Sequence, residues 1–143
     1  MNKSIVFSLA EIFFGIPINQ IKRLGKPENI EPLKGAPDWI SGFMSYRDSM
    51  LPYITFWNIL KIHPPSKEFL LLPSNFDYCA FGISKINGIF EIEIKEKNSN
   101  IFKIPYIMGF GEFHERVVIF IDLNNFLSPE QKNIVGNFYK KNE

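Results

Sequence analysis

Apolar and polar positions alternate along this chain in short runs, and glycine or proline interrupts most runs after five to eight residues. Ile5, Phe7 and Leu9 alternate with Val6 and Ser8, and Phe90, Ile92 and Ile94 with Glu91, Glu93 and Lys95. The second case is the pattern of a half-buried strand with a charged outer face. Strands are predicted near residues 4–9, 12–17, 28–33, 41–47 and 50–56, and again near 68–73, 77–86, 89–95, 107–112 and 115–121. Two stretches read as helical. Asn19–Leu24 is a short turn with Ile21 and Leu24 on one side. Residues 128–141 open on SPEQ, with Ser128 as N-cap, Pro129 at the first position and Gln131 at the capping-box place. That helix would put Ile134, Val135 and Phe138 on one face.

The pattern also repeats. GFMSYRDSMLPYITFWNIL from Gly42 lies over GFGEFHERVVIFIDLNNFL from Gly109 without a gap, at an offset of 67 residues. Gly42, Phe43, Asn58 and Leu60 recur as Gly109, Phe110, Asn125 and Leu127, and the same offset carries Phe14, Gly15 and Ile16 onto Phe81, Gly82 and Ile83. Two separate stretches sharing one offset indicate a duplicated unit of about five strands. A unit that small must bury a face against its twin. The segment KIHPPSKE, Lys61 to Glu68, reads as the linker. The expected fold is all-β: two pseudo-symmetric five-stranded barrels packed together in one domain of residues 1–143. The first barrel would occupy about 10–65 and the second about 66–127, an N-terminal strand exchange being possible.

Composition narrows the function. A net charge of +1 gives no overall field to collect nucleic acid or anionic membrane. Cys79 is the single cysteine, which excludes an internal disulfide and suits a reducing cytoplasm. The N-terminus, broken by Ser8, Glu11 and Pro17, resembles strands rather than a signal sequence, and no stretch approaches 18 uninterrupted apolar residues. The chain therefore reads as soluble and intracellular.

Convergent catalytic groups are hard to find. His63 stands in a proline-flanked linker, His114 in the turn of EFHERV, and Cys79 among apolar neighbours where it fills core volume. Glu91 and Glu93 share a strand face with Lys95, which favours a solvated surface over an acid pair, and Asp122 closes the last strand. GFGEF at 109–113 lacks the third glycine and following helix of a phosphate loop. No enzyme, cofactor or metal site is expected. Arg47, between Tyr46 and Asp48 in an apolar hairpin, has two readings: an ion pair to Asp48 or Glu11, or a planar donor beside Tyr46 that anchors a protein contact. A small barrel that binds a ligand or nucleic acid stays open as a second function class.

Three stretches, FGIPINQIKRL at 14–24, GAPDWISGFMSYRDSMLPYI at 35–54 and the closing GFGEFHERVVIFIDLNNFL, together resemble the CheW family of chemotaxis coupling proteins over nearly the whole chain. The resemblance implies paired barrels and a non-catalytic adaptor that holds the histidine kinase CheA, through its CheW-like regulatory domain, against the cytoplasmic tips of methyl-accepting chemoreceptors. Such an adaptor would be cytoplasmic, held beneath the membrane in receptor arrays, without inserting in the bilayer or binding nucleic acid. Carried over by position, Arg47 matches the family's coupling arginine, Gly42 the glycine opening the hairpin strand, and Ile21 the aliphatic position on the early short helix. Ile21 and Leu24 would receive the apolar face of a receptor helix while Arg47 fixes its register. The chain departs from the pattern at Tyr46, Asp48 and Ser84, and at Arg23, where the family commonly carries glutamate. These departures point to a specialised paralogue serving a different receptor or kinase.

Overall fold

The computed structural model describes residues 3–96 and 103–141. β1 (Lys3–Leu9) and β2 (Ile12–Pro17) form a hairpin, a single 3-10 turn spans Ile18–Gln20, and β3 (Ile21–Gly25) follows. β4 (Gly42–Tyr46) and β5 (Ser49–Thr55) make a second hairpin that runs directly into the short helix α1 (Phe56–Leu60). After β6 (Glu68–Pro73), β7 (Ala80–Ser84), β8 (Ile86–Glu91) and β9 (Lys95–Glu96), a third hairpin of β10 (Ile107–Phe113) and β11 (Arg116–Ile121) leads to α2 (Pro129–Phe138) and β12 (Lys140–Lys141).

The strands form two sheets, one in the order β8-β1-β2-β11-β10-β9, the other β12-β5-β7-β6-β3 with β4 on β5. At the 67-residue offset β3, β4 and β5 answer to β8, β10 and β11, while β1 and β2 answer to β6 and β7. Each sheet therefore takes its first two repeat strands from the other half of the chain. β2 lies parallel to β11 (Ile119 beside Phe14), and β7 lies parallel to β5 (Ile54 beside Phe81). The sheets consequently do not divide the chain near residue 65: β6 and β7 stay with the first-half strands, and the whole β1–β2 hairpin joins the second-half ones. An alternating strand carries the same pattern whichever sheet it enters, so patterning cannot reveal the exchange.

Three apolar clusters follow from this arrangement. Val6, Ile92, Val118 and Phe120 fill the inside of the first sheet. Met44, Leu51, Tyr53, Leu70, Leu72 and Ala80 fill the inside of the second. Between them lies the largest cluster, built on Phe7, Phe14, Ile54, Phe56, Phe81 and Phe126. Phe56 and Phe126 stack at 4.1 Å there, and Phe56 also meets Phe7 and Phe81 edge-on. Six of the fifteen phenylalanines, Phe7, Phe14, Phe56, Phe81, Phe120 and Phe126, are buried, and another six pack half-buried against these clusters.

Several expected elements change. The strand near 28–33 contracts to a single bridge between Glu31 and Phe43, because Pro27 and Pro32 withhold the backbone donors a ladder needs. That bridge is the counterpart of β9, whose Lys95 pairs with Phe110, the repeat equivalent of Phe43. The strand near 77–86 begins only at Ala80, and the one near 50–56 ends at Thr55, where α1 starts. The helix near 19–24 is one turn, Ile18–Gln20; Ile21, Arg23 and Leu24 belong to β3. Its ladder skips Lys22 between Ile21 opposite Pro73 and Arg23 opposite Leu72. This bulge gives Ile21 and Leu24 a spacing of three on a strand, which in sequence imitates a helix turn. The closing helix is α2, shorter than 128–141. Ser128 and Gln131 form the capping box, Val135 is buried with Ile134 and Phe138 beside it, and Lys140–Lys141 leave the helix to pair with Met50 and Ser49 of β5.

Candidate functional site

The β4–β5 turn is two residues long, Arg47 and Asp48, both exposed, and Arg47 carries φ 52°. A left-handed φ costs a non-glycine residue free energy. Here it projects the side chain from the hairpin tip. The guanidinium carbon lies 5.4 Å from the Tyr46 ring centre. From β3, across the seam at which the second sheet curls back toward β4, the Arg23 guanidinium lies 6.0 Å from the same ring. Tyr46 is thus the common floor of two cations, within reach of a cation–π attraction. The phenol's pKa is lowered, first by hydrogen bonding from Arg23 and then, against some desolvation, by the positive fields of Arg47, Arg23 and Lys22.

Among the described residues, the contacts of Arg47 run to Tyr46 rather than to Asp48 or Glu11. Glu11 sits in the β1–β2 turn on the other sheet, where its carbonyl accepts from Arg116 Nη2 at 2.6 Å. The ion-pair reading of Arg47 therefore gives way to the contact geometry.

Beside the hairpin tip lies a groove of about 420 Å³. Leu51, Leu72, Pro73, Phe76 and Tyr139 supply its apolar lining, and Lys22, Arg47, Asp48 and Asp77 its charged rim. Tyr139 arrives from the end of α2, packs on the interior of the second sheet and brings its hydroxyl to 3.5 Å from Ser49 Oγ. Nothing in the sequence signals this neighbour, since the turn after α2 delivers it from 90 residues away.

The remaining expected residues lie apart from the tip. Gly42 is buried at the other end of β4, where a Cβ would collide with the Glu31 carbonyl and the Ile30 methyl. Gly109, its repeat partner, stands in the same way against Lys95 and Ile94. Both glycines serve close packing of two backbones. Ile21 and Leu24 are half-buried, one side packed on the central cluster. Cys79 is fully buried and its thiol pKa is pushed up by desolvation, which leaves it unreactive. His63 is exposed in the irregular segment between α1 and β6, and His114 is exposed in the β10–β11 turn. Among the described residues, no trio of His, Cys, Asp or Glu stands close enough to hold a metal, and no helix is long and apolar enough to cross a membrane.

The CheW-like domain family model matches residues 3–131. The chain belongs to the CheW-like domain family. A chemotaxis protein CheW from Klebsiella aerogenes is 22% identical over 147 residues, covering 95% of this chain and 87% of that protein. Among solved structures, the scaffolding protein TtCheW from Thermoanaerobacter tengcongensis superposes with a TM-score of 0.74 at 20% identity, over 85% of this chain and 84% of that one. The two-sheet, mostly β architecture is thus the CheW fold.

Proposed function

We propose that this CheW-like protein is a non-catalytic cytoplasmic adaptor that couples the histidine kinase CheA to the cytoplasmic tips of methyl-accepting chemoreceptors, and reaches the membrane only through those receptors. The observation that carries the reading is the family match over residues 3–131, which spans both sheets. The surface chemistry agrees with it. Arg47 stands exposed at the rim of a groove with apolar lining, while Ile21 and Leu24 on the neighbouring strand keep part of their surface in solvent. Such a surface suits a helix laid in a groove, with apolar side chains below and a guanidinium fixing register. Arg47, Arg23, Tyr46 and Asp48 are the proposed contact residues, with Ile21 and Leu24 beside them and Gly42 supporting the hairpin from below.

Titration calorimetry tests the proposal, against the isolated regulatory domain of CheA and against a soluble receptor cytoplasmic fragment from the same organism. Saturable binding to both is expected. Absence of binding to either would detach this chain from that pair of partners and leave a scaffold for another chemosensory-type kinase.

A further inference from the structure

The 67-residue repeat allows the parallel strand pairs of the two sheets to be compared. Phe13 of β2 pairs with Val118 of β11. Ala80 and Leu51 are their repeat equivalents, yet Ala80 pairs with Tyr53, so β7 has slipped two residues along β5. A slip of two keeps every side chain on its own face. It also leaves Ser49 and Met50 without β7 beside them, on the flank opposite β4. β12 takes that place, with Lys140 opposite Met50 and Lys141 opposite Ser49. In the first sheet the equivalent residues are Arg116 and Val117. Among the described residues no strand pairs with them on the β2 flank, and Val117 is 64% exposed. The fold therefore closes without a strand at this position.

Side-chain filling differs in the same way. Phe13 sends a ring to the interior of the first sheet, edge-on to Phe113 at 5.5 Å. Ala80 stands at the equivalent place and supplies one methyl group. Tyr139 makes up the missing ring: half-buried, it packs on the cluster of Ala80, Leu51 and Leu72, with its hydroxyl 3.5 Å from Ser49 Oγ. A phenylalanine in β7 would fill this hollow permanently, whereas a ring carried on the Tyr139–Lys141 strap can leave it.

We infer that the β5 edge at Ser49–Met50 and the hollow over Ala80 form a strand-addition site for an extended partner segment bearing an aromatic side chain, and that the Tyr139–Lys141 strap is its competitor within the chain. The strap itself shows the chemistry of the occupant: backbone pairing antiparallel to β5, and one aromatic ring against Leu51, Leu72 and Ala80. Left bare, such an edge would pair with any extended chain, and the tethered strap holds it closed until a better-fitting segment arrives. A short tether gives an effective concentration in the millimolar range, so a strap of millimolar intrinsic affinity keeps the site shut and still gives way. The site takes a strand rather than a helix, and it stands independently of the partners proposed above.

The test compares the full-length native chain with a strap variant, Tyr139→Ala with Lys140→Pro and Lys141→Pro, which empties the hollow and removes the backbone donors of β12. The probe is a synthetic peptide copying residues 138–143, FYKKNE, followed by amide NMR shifts at Ser49, Met50 and Ala80. Saturable shifts in the millimolar range are expected in the variant, binding at least about tenfold weaker in the native chain, and none from the peptide carrying Tyr139→Ala. A folded variant that does not respond overturns the site. An equal response in the native chain overturns the competition, and equal binding of the two peptides overturns the aromatic hollow. If the variant does not fold, hydrogen exchange of the native chain decides: exchange at Ser49 and Met50 well ahead of Tyr53 supports a displaceable strap, and exchange in step with Tyr53 overturns it.

Discussion

Tyr53 occupies the space that Gly82 leaves on the parallel neighbour strand, and a Cβ at Gly82 would collide with the phenol ring and its oxygen. Gly15 and Phe120, their repeat equivalents, stand in the same relationship in the other sheet. Each curled sheet thus fills its interior with one large ring set over a glycine. Gly82→Ala is expected to lower unfolding free energy by about 2–4 kcal/mol, since the ring is buried and cannot swing aside. Denaturant unfolding of that variant beside Gly15→Ala checks it, and a loss within error at both would show that the interiors repack freely.

Tyr53 also donates its hydroxyl to Glu68 at 2.8 Å. Its pKa is raised, first by desolvation and then by the Glu68 carboxylate, and those of Cys79, Tyr78 and Tyr106 are raised by desolvation as well. The folded state then holds protons that the unfolded chain releases. Their contribution is complete below the unfolded values, near pH 8.5 for a thiol and about 10 for a phenol, and is lost as pH rises beyond them. Melting temperature is expected to fall above pH ~9, and Tyr53→Phe to reduce that fall. A profile as steep in the variant as in the native chain would remove Tyr53 from the account.

Ser4 is buried on β1 with no hydrogen-bond partner for its hydroxyl among the described residues, and its repeat equivalent is the buried Leu71. Removing an unsatisfied buried hydroxyl gains free energy, so Ser4→Ala is expected to stabilise the fold by about 1 kcal/mol. A lower denaturant midpoint would imply that the hydroxyl is satisfied in solution.

Arg47→Glu removes a stacking contact with Tyr46 from an exposed turn, and is expected to shift stability by no more than about 1 kcal/mol while weakening partner binding. Melting curves beside the calorimetry separate the two effects. A large drop in melting temperature would make Arg47 a structural residue.

Loss of the Ser128 cap, whose hydroxyl accepts from Gln131 N–H at 3.1 Å while the Gln131 side chain returns to Ser128 N–H at 2.8 Å, is expected to cost about 1 kcal/mol in Ser128→Ala. Because Tyr139 and β12 follow α2, hydrogen exchange is expected to rise at Ser49 and Met50 too. Unchanged protection there would show that the strap holds without its helix.

Most of this architecture is written in local pattern. Alternation located the hairpins, SPEQ marked the start of α2, and one offset through Gly42, Gly109, Gly15 and Gly82 exposed the duplication, because glycine is demanded wherever a ring or carbonyl presses on the backbone. Arg47 could be singled out as a lone guanidinium in an apolar hairpin. Its surroundings could not be read the same way. Arg23 comes from β3 across a seam that only sheet curvature creates, and Tyr139 comes from the far end of the chain. Exchange of the N-terminal strands could be named only as a possibility and the crossing of β6–β7 not at all, since strand alternation specifies a buried face but not the neighbour that buries it. Sequence alone determined the repeat, the strand faces and the family; tertiary packing decided which strands pair and which cations meet, because those depend on long-range closure of the sheets.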